Sequence, residues 1–292
     1  MSDQLDGLVL VDKETGWTSH DVVARMRRIA GTRRVGHAGT LDPMATGLLL
    51  LGVNRATRLL GYLSNKSKTY EAVIRLGAAT TTDDAEGEVV SQCSASELAA
   101  VTDLEIAERI ATFRGDISQR PSSVSAIKVG GVRSYARVRA GEEVVLPERA
   151  VTIFRYEAKV IDRTSTHIDI AATVECSSGT YIRALARDLG TALGVGGHLT
   201  ALRRTAIDSF SLESARKIGD YEKDFSMMPM VDVARLAFPV RALTDVERQT
   251  LSHGGKLTPN ETDEVTAAIF EDSLIALVEN RPDGAKPLAV FV

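Results

Sequence analysis

Gly36-His37-Ala38-Gly39-Thr40-Leu41-Asp42-Pro43-Met44-Ala45-Thr46-Gly47 sets a single carboxylate in a long basic stretch. Asp42 is the only acid between Asp21 and Glu71, and nine cations share that interval: Arg25, Arg27, Arg28, Arg33, Arg34, Arg55, Arg58, Lys66 and Lys68. Nine cations and one carboxylate leave the window at about +8, in a chain whose formal net charge is -4. A lone carboxylate in a glycine-rich basic loop reads in two ways. It is a nucleophile or base acting on a polyanion, or an Asp-Pro turn beside a solvated basic face. Charge alone leaves the two readings level.

The flanking sequence frames this loop. Leu8-Val9-Leu10-Val11 reads as a short buried strand, followed by a turn at Glu14-Thr15-Gly16. Thr18 has the character of a helix N-cap, and Asp21 three residues on favours the exposed amides of the first turn. That helix is expected to run to about Ala30 and stop at Gly31. After the glycine-rich loop, Leu48 to Val53 looks like an interior strand, so Asp42 sits on a loop feeding a rigid element.

Further along, Tyr70, Ala72, Ile74 and Leu76 share one face of an alternating strand, and His167 to Cys176 alternates in the same way. Thr80 to Gly87 is polar and turn-rich, and Leu98 to Phe113 reads as one helix. Thr180 is a candidate cap for a helix that turns Ile182, Leu185 and Leu189 inward, with Gly190 and Gly194-Val195-Gly196-Gly197 ending it. Arg120 to Arg149 is basic and aperiodic, the pattern of a surface loop able to grip a substrate. From about Phe238 the balance shifts to five Lys or Arg against nine Asp or Glu, with short strand-like runs. This reads as a small β-rich domain after a linker near Met227–Pro239.

Bulk composition narrows the function. The 292 residues are 44% hydrophobic and 25% charged, as in an ordinary soluble globule. No apolar run is long enough to cross a membrane, Met1-Ser2-Asp3-Gln4 does not open a signal peptide, and Cys93 and Cys176 stand far apart. A cytoplasmic setting is expected. There is no Walker phosphate loop, no Rossmann glycine spacing, no histidine pair at metal-binding interval and no Gly-x-Ser-x-Gly elbow. Zinc, nucleotide-cofactor and serine-hydrolase readings are therefore weak. With an acidic net charge, any nucleic-acid contact must come from local patches such as the pairs Arg33-Arg34 and Arg203-Arg204. Tyr70 and Tyr181 are available to stack on a base, and Arg183 could pair with Asp42.

Several blocks, in order over roughly the first 210 residues, resemble the TruB family of tRNA pseudouridine synthases. They are Asp12-Lys13 with Gly16 and Thr18-Ser19, then Gly36 to Gly47, then Tyr70 with Arg75-Leu76-Gly77. Asp83-Asp84-Ala85-Glu86-Gly87, Pro121-Ser122 with Ser125-Ala126-Ile127-Lys128, Cys176-Ser177-Ser178-Gly179-Thr180-Tyr181-Ile182-Arg183 and Leu202-Arg203-Arg204 complete them.

The resemblance implies an α+β pseudouridine synthase fold, with a mixed, mainly antiparallel central sheet and flanking helices. It implies a catalytic domain over 1–236 with a thumb-like RNA-gripping loop at about 122–150, and a small C-terminal PUA-like domain over 237–292. The implied reaction isomerises the T-loop uridine at tRNA position 55 to pseudouridine by base flipping, and needs no cofactor and no metal. In it Asp42 is the nucleophile, Arg183 its carboxylate partner, and Tyr70 stacks on the base and can act as a general base. His37, Tyr70, Tyr181 and Leu202 bind the substrate nucleotide. Arg33, Arg34, Lys128, Arg203 and Arg204 are the RNA-backbone candidates. The implied partner is the T arm of tRNA, the expected state a monomer. A tRNA-folding helper, or a related synthase acting on another RNA, is the alternative reading.

Overall fold

Apolar runs and caps account for most of the elements in the computed structural model, which describes residues 6–122, 128–129, 132–133 and 146–292. The body of the expected thumb-like segment, including Ser125-Ala126-Ile127 and the side chain of Lys128, lies outside the described residues. β1 (Gly7–Lys13) is buried at every position but Asp12. It leads into α1 (Ser19–Ile29), where Thr18 and Asp21 form a reciprocal capping box, as the sequence anticipates. β2 (Val35–Ala38) and β3 (Thr46–Val53) follow, then a 3-10 turn at Asn54–Leu59 and α2 (Leu60–Ser64). β2 lies within the stretch expected to be loop. Its strand character comes from pairing with Ala38↔Leu50 through Val35↔Val53.

Next come β4 (Lys68–Leu76), β5 (Ala78–Thr80), β6 (Val89–Gln92), α3 (Ala95–Ala100) and α4 (Asp103–Thr112). The single helix expected over Leu98–Phe113 is thus two. Two capping boxes, Ser94 with Glu97 and Thr102 with Glu105, start separate helices, and extended Val101 turns its side chain into the core between them. β7 (Gly115–Gln119), β8 (Lys128–Val129), β9 (Val132–Arg133), β10 (Arg149–Arg163) and β11 (Ile168–Cys176) precede α5 (Ile182–Ala192) and β12 (Gly197–Ile207). The remainder is β13 (Phe210–Ser211), α6 (Ile218–Lys223), β14 (Met228–Pro229), α7 (Met230–Ala237), β15 (Val240–Ala242), α8 (Asp245–Ser252), β16 (Thr266–Phe270), β17 (Ser273–Arg281) and β18 (Gly284–Val290).

These elements form two compact units. One takes the chain up to Pro43, Gly47–Ser64 and Ile207–Val292; the other takes Met44–Thr46 and Asn65–Ala206. In the first unit β1 pairs antiparallel with β3 from Gly7↔Val53 to Lys13↔Gly47, and with β14 at Gly7↔Pro229. A second sheet runs β15-β16-β17-β18, parallel at β15–β16 and antiparallel beyond. One apolar cluster joins Leu8, Leu10, Leu48 and Leu50 to Val233 and Ala234 of α7 and to Ala267, Ile269, Leu277 and Phe291 of the C-terminal segment. The stretch expected as a linker is instead β14 and α7. Val233, Ala234 and Ala237 recur at helical spacing and are buried in that cluster.

In the second unit the strands run β12-β4-β11-β10-β7. β4 and β11 pair from Ile168↔Leu76 to Cys176↔Lys68, and both alternate between buried and partly exposed positions. The fold is α+β, with antiparallel strands dominating the large sheet segments and a mixed sheet at the C-terminus.

Candidate active site

Asp42 lies in a seven-residue stretch without regular structure between β2 and β3, half-buried. Gly39 (φ 74°) and Gly47 (φ 101°) bracket it in left-handed backbone that a side chain would strain. The stretch is nonetheless held. Leu41 N donates to Ser19 Oγ at 2.9 Å, and Ser19 Oγ donates back to Leu41 O at 3.2 Å. On the other side Lys13 Nζ reaches Pro43 O at 3.3 Å, and Gly16 N donates to the same oxygen at 2.9 Å. His37 stands on strand β2, not in a loop, with its ring edge-on to His20 at 5.5 Å between centroids.

The cations of the basic window do not act as one field. Arg25 pairs with Glu222, and Arg27 donates to Val35 O at 3.1 Å. Arg55 pairs with Asp6 at 2.6 Å and donates to Phe291 O, while Arg58 donates to Val290 O at 2.7 Å. Lys68 is buried, donates to Lys66 O at 2.6 Å, and is held down to about 8 by burial and by the nearby Arg204 charge. Five of the nine are thereby engaged in the fold. Arg28, Arg33 and Arg34 are exposed.

The second unit carries the other expected residues. Tyr70 is buried on β4, opposite Val174 of β11. Leu202 is buried on β12. Tyr181 is half-buried and takes the N-cap of α5 in place of the expected Thr180, whose hydroxyl instead donates to Ser177 O at 3.0 Å. The Tyr181 main chain is gripped by one amide side chain. Gln119 Nε2 donates to Tyr181 O at 2.9 Å and Tyr181 N donates to Gln119 Oε1 at 2.8 Å. Arg183 does not occupy the solvated face usual for a helical arginine. It is buried, donates to Thr82 O at 2.8 Å and lies 3.4 Å from Asp84 Oδ2. One turn on, Arg187 pairs with Asp83 at 3.1 Å.

Arg203 and Arg204 are neighbours on a strand, so their side chains leave on opposite faces. Arg203 is half-buried and donates to Thr46 Oγ1 at 3.2 Å. Arg204 is only 1% exposed, a correction to its expected place on the RNA backbone, because a buried guanidinium does not meet a phosphate chain.

Asp84 and Gln119 were not singled out from sequence. Asp84 stands in a quoted acidic block, but two adjacent carboxylates do not say which one meets an arginine about a hundred residues away. Gln119 carries no sequence signal. Asp162, His167 and Asp169 gather within 4.8 Å of one another, but Asp169 gives both oxygens to Arg75 at 2.7 Å each, so this is an ion-pair cluster.

Three family models tile most of the chain. Residues 27–182 match the N-terminal domain of the TruB family pseudouridylate synthases, residues 183–238 the tRNA pseudouridylate synthase B C-terminal domain, and residues 238–292 the C-terminal model of tRNA pseudouridine synthase II. The chain is 54% identical over 299 residues to the tRNA pseudouridine synthase B of Arthrobacter sp. (strain FB24), covering 98% of this chain and 97% of that one. With the protein of the same description from Leifsonia xyli subsp. xyli it shares 52% over 290 residues, covering 98% and 96%. Among solved structures it resembles an H/ACA RNP bound to a substrate RNA containing 2'-deoxyuridine, at TM-score 0.72 and 23% identity, over 99% of this chain and 86% of that one. A Cbf5-Nop10-Gar1 complex gives TM-score 0.69 at 25% identity, over 98% and 83%.

Proposed function

The chain belongs to the TruB family of pseudouridylate synthases, and on that premise we propose that it isomerises the T-loop uridine at position 55 of tRNA to pseudouridine, with Asp42 as nucleophile. The observation that carries this reading is the Asp42 loop: the only acid in a basic interval, half-buried, and fixed by hydrogen bonds to the residues on both sides of it.

The reaction breaks the N1–C1′ bond, turns the freed uracil and joins C5 to C1′. The C5 proton is lost and N1 regains one, so the exchange is redox-neutral. A uridine stacked in the T loop hides its reacting atoms, so the nucleotide must first leave the stack. His37 fills space beside the extruded nucleotide, Tyr70 packs on the flipped base, and Tyr181 and Leu202 line the uracil. Arg183 is the cationic partner of the Asp42 carboxylate. In an elimination route Tyr70 also takes the sugar proton. Exposure supports the pair Arg33 and Arg34 as backbone contacts, with Lys128 and Arg203 as further candidates. Residues 1–236 form the catalytic domain, and 237–292, acidic in balance, act as an auxiliary PUA-like domain in a monomeric enzyme.

Tritium release from a T-stem-loop carrying [5-³H]uridine tests the assignment. Asp42→Asn is expected to bind the RNA within a few-fold of the parent and to release no tritium; retained release removes Asp42 from the reaction. Cytidine at position 55, with labelled uridines elsewhere in the loop, is expected to abolish release. Release from that RNA would move the site.

A further inference from the structure

A side chain twenty-three residues upstream bonds the backbone next to Asp42. Ser19 is the first residue of α1 and 1% exposed. Its hydroxyl accepts from Leu41 N at 2.9 Å and donates to Leu41 O at 3.2 Å, so one side chain occupies both polar backbone groups of the residue before Asp42. A hydroxyl can do both at once; a methyl can do neither. The residue after Asp42 is caught too. Pro43 O receives Lys13 Nζ, whose ammonium also donates to Trp17 O at 2.7 Å and Glu14 O at 3.1 Å, and it receives Gly16 N.

The anchor under Ser19 is stiff. Thr18 and Asp21 close the capping box directly around it, and Val22, Val23 and Met26 seat the helix in the core of its unit. The stretch carrying Asp42, by contrast, has no ladder of its own and starts at Gly39 in left-handed backbone. Without external bonds it would sample many conformations.

We propose that Ser19 is a positioning residue for Asp42: its hydroxyl fixes the backbone entering the carboxylate and so sets where the nucleophile points. The proposal rests on the reading of Asp42 as the nucleophile. A misplacement of about 1 Å at a reacting group costs on the order of 100-fold in rate, which sets the scale to expect.

The test compares two side chains of one shape. Ser19→Thr keeps the hydroxyl and Ser19→Val replaces it with a methyl, so any crowding from the added carbon is common to both. Single-turnover tritium release and RNA affinity are measured for each, beside Ser19→Ala, which adds no bulk, and Asp42→Asn. Ser19→Val is expected to be at least tenfold slower than Ser19→Thr, and Ser19→Ala at least tenfold slower than the parent, with RNA Kd within about twofold throughout. Equal rates for the Thr and Val variants, together with a parental rate for Ser19→Ala, overturn the proposal. So does a loss of RNA affinity that matches the loss of rate. If the two bulkier variants do not fold, the Ser19→Ala comparison decides alone. An active Asp42→Asn removes the nucleophile reading itself; an inactive Asp42→Asn beside a fast Ser19→Val removes only the role of Ser19.

Discussion

Arg183 and Asp84 form a buried ion pair, 3.4 Å from Nη1 to Oδ2, with each side chain 6% exposed. The carboxylate divides its work. Oδ1 accepts from Thr82 Oγ1 at 2.6 Å and from Glu86 N at 3.1 Å, which shapes the polar loop, and Oδ2 faces the guanidinium. Removing one member of a buried pair leaves the other charge uncompensated, at about 3–5 kcal/mol. Asp84→Ala is therefore expected to be strongly destabilised, and Asp84→Asn less so because the amide keeps the loop contact at Oδ1. The Asn variant isolates the charge. It is expected to turn over at least tenfold more slowly than the parent with RNA affinity little changed, since Arg183 loses one of the groups that aim it. An Asp84→Asn enzyme with parental single-turnover rate would show that Asp84 serves the loop alone.

The helix bearing Arg183 is also held by contact at glycine. An added Cβ at Gly190 would lie 2.1 Å from Gly197 N and 2.2 Å from Gly196 C, distances that backbone atoms cannot yield without moving. Gly190→Ala is expected to push α5 away from the turn before β12 and to cost about 3 kcal/mol or more, despite the better helix propensity of alanine. Gly219 is the matched opposite. It lies in α6, exposed, with nothing within 4 Å of an added Cβ, so Gly219→Ala is expected to stabilise by about 0.5–1 kcal/mol. Urea midpoints for the two variants check both signs. A Gly190→Ala midpoint at or above the parent would contradict the close packing.

How much of this was legible follows from how local each signal is. β1, β3, β4 and β11 could be read directly, because a buried run or a period-two alternation is written in consecutive residues. The cap at Thr18 needed only Asp21. β2 could not be read: a glycine, a histidine and an alanine out of four residues have little strand preference, and the strand exists because Leu50–Val53 offers it partners. The count of nine cations was correct as arithmetic and misleading as a field, because sequence gives a charge without its partner. Arg25 meets Glu222, nearly two hundred residues away, and Arg58 meets a carbonyl near the C-terminus. Burial of Arg183 and Arg204 is non-local in the same sense. Asp42 was conspicuous in sequence; Ser19, which bonds the residue before it, looked like the residue after a cap.

The facing pair Cys176 and Lys68 predicts an unusual alkaline profile. Burial lowers Lys68 from an ordinary 10.5 to about 8, so between those values the unfolded chain binds the extra proton and stability rises with pH. Burial pushes the Cys176 thiol up from 9.0 to about 11, so between those values the folded chain binds the extra proton and stability falls as pH rises. The two effects oppose each other from about pH 9 to 10.5. Cys176→Ala removes only the falling limb. Its stability relative to the parent is expected to improve between pH 9 and 11 by on the order of 2 kcal/mol. Parallel denaturant titrations at pH 8, 9.5 and 11 measure this difference; a constant offset across the three would remove the buried thiol as its source.

The C-terminal sheet is expected to share its fate with β1 and β3. Phe291 is 2% exposed in the cluster that contains Leu8 and Leu50, and Arg55 and Arg58 hold the carbonyls of Phe291 and Val290. A phenylalanine truncated in such a core costs about 3–5 kcal/mol, whereas each exposed arginine contributes roughly 1 kcal/mol or less. Phe291→Ala should therefore be far more damaging than Arg58→Ala. Its effect should not stay at the end of the chain, because the cavity opens against side chains of the first strand. Hydrogen exchange resolves the point: in Phe291→Ala the amides of β1 and of β17 are expected to lose protection together. Loss confined to β17, with β1 protected as in the parent, would mean that the C-terminal sheet opens on its own and that the shared cluster does not couple them.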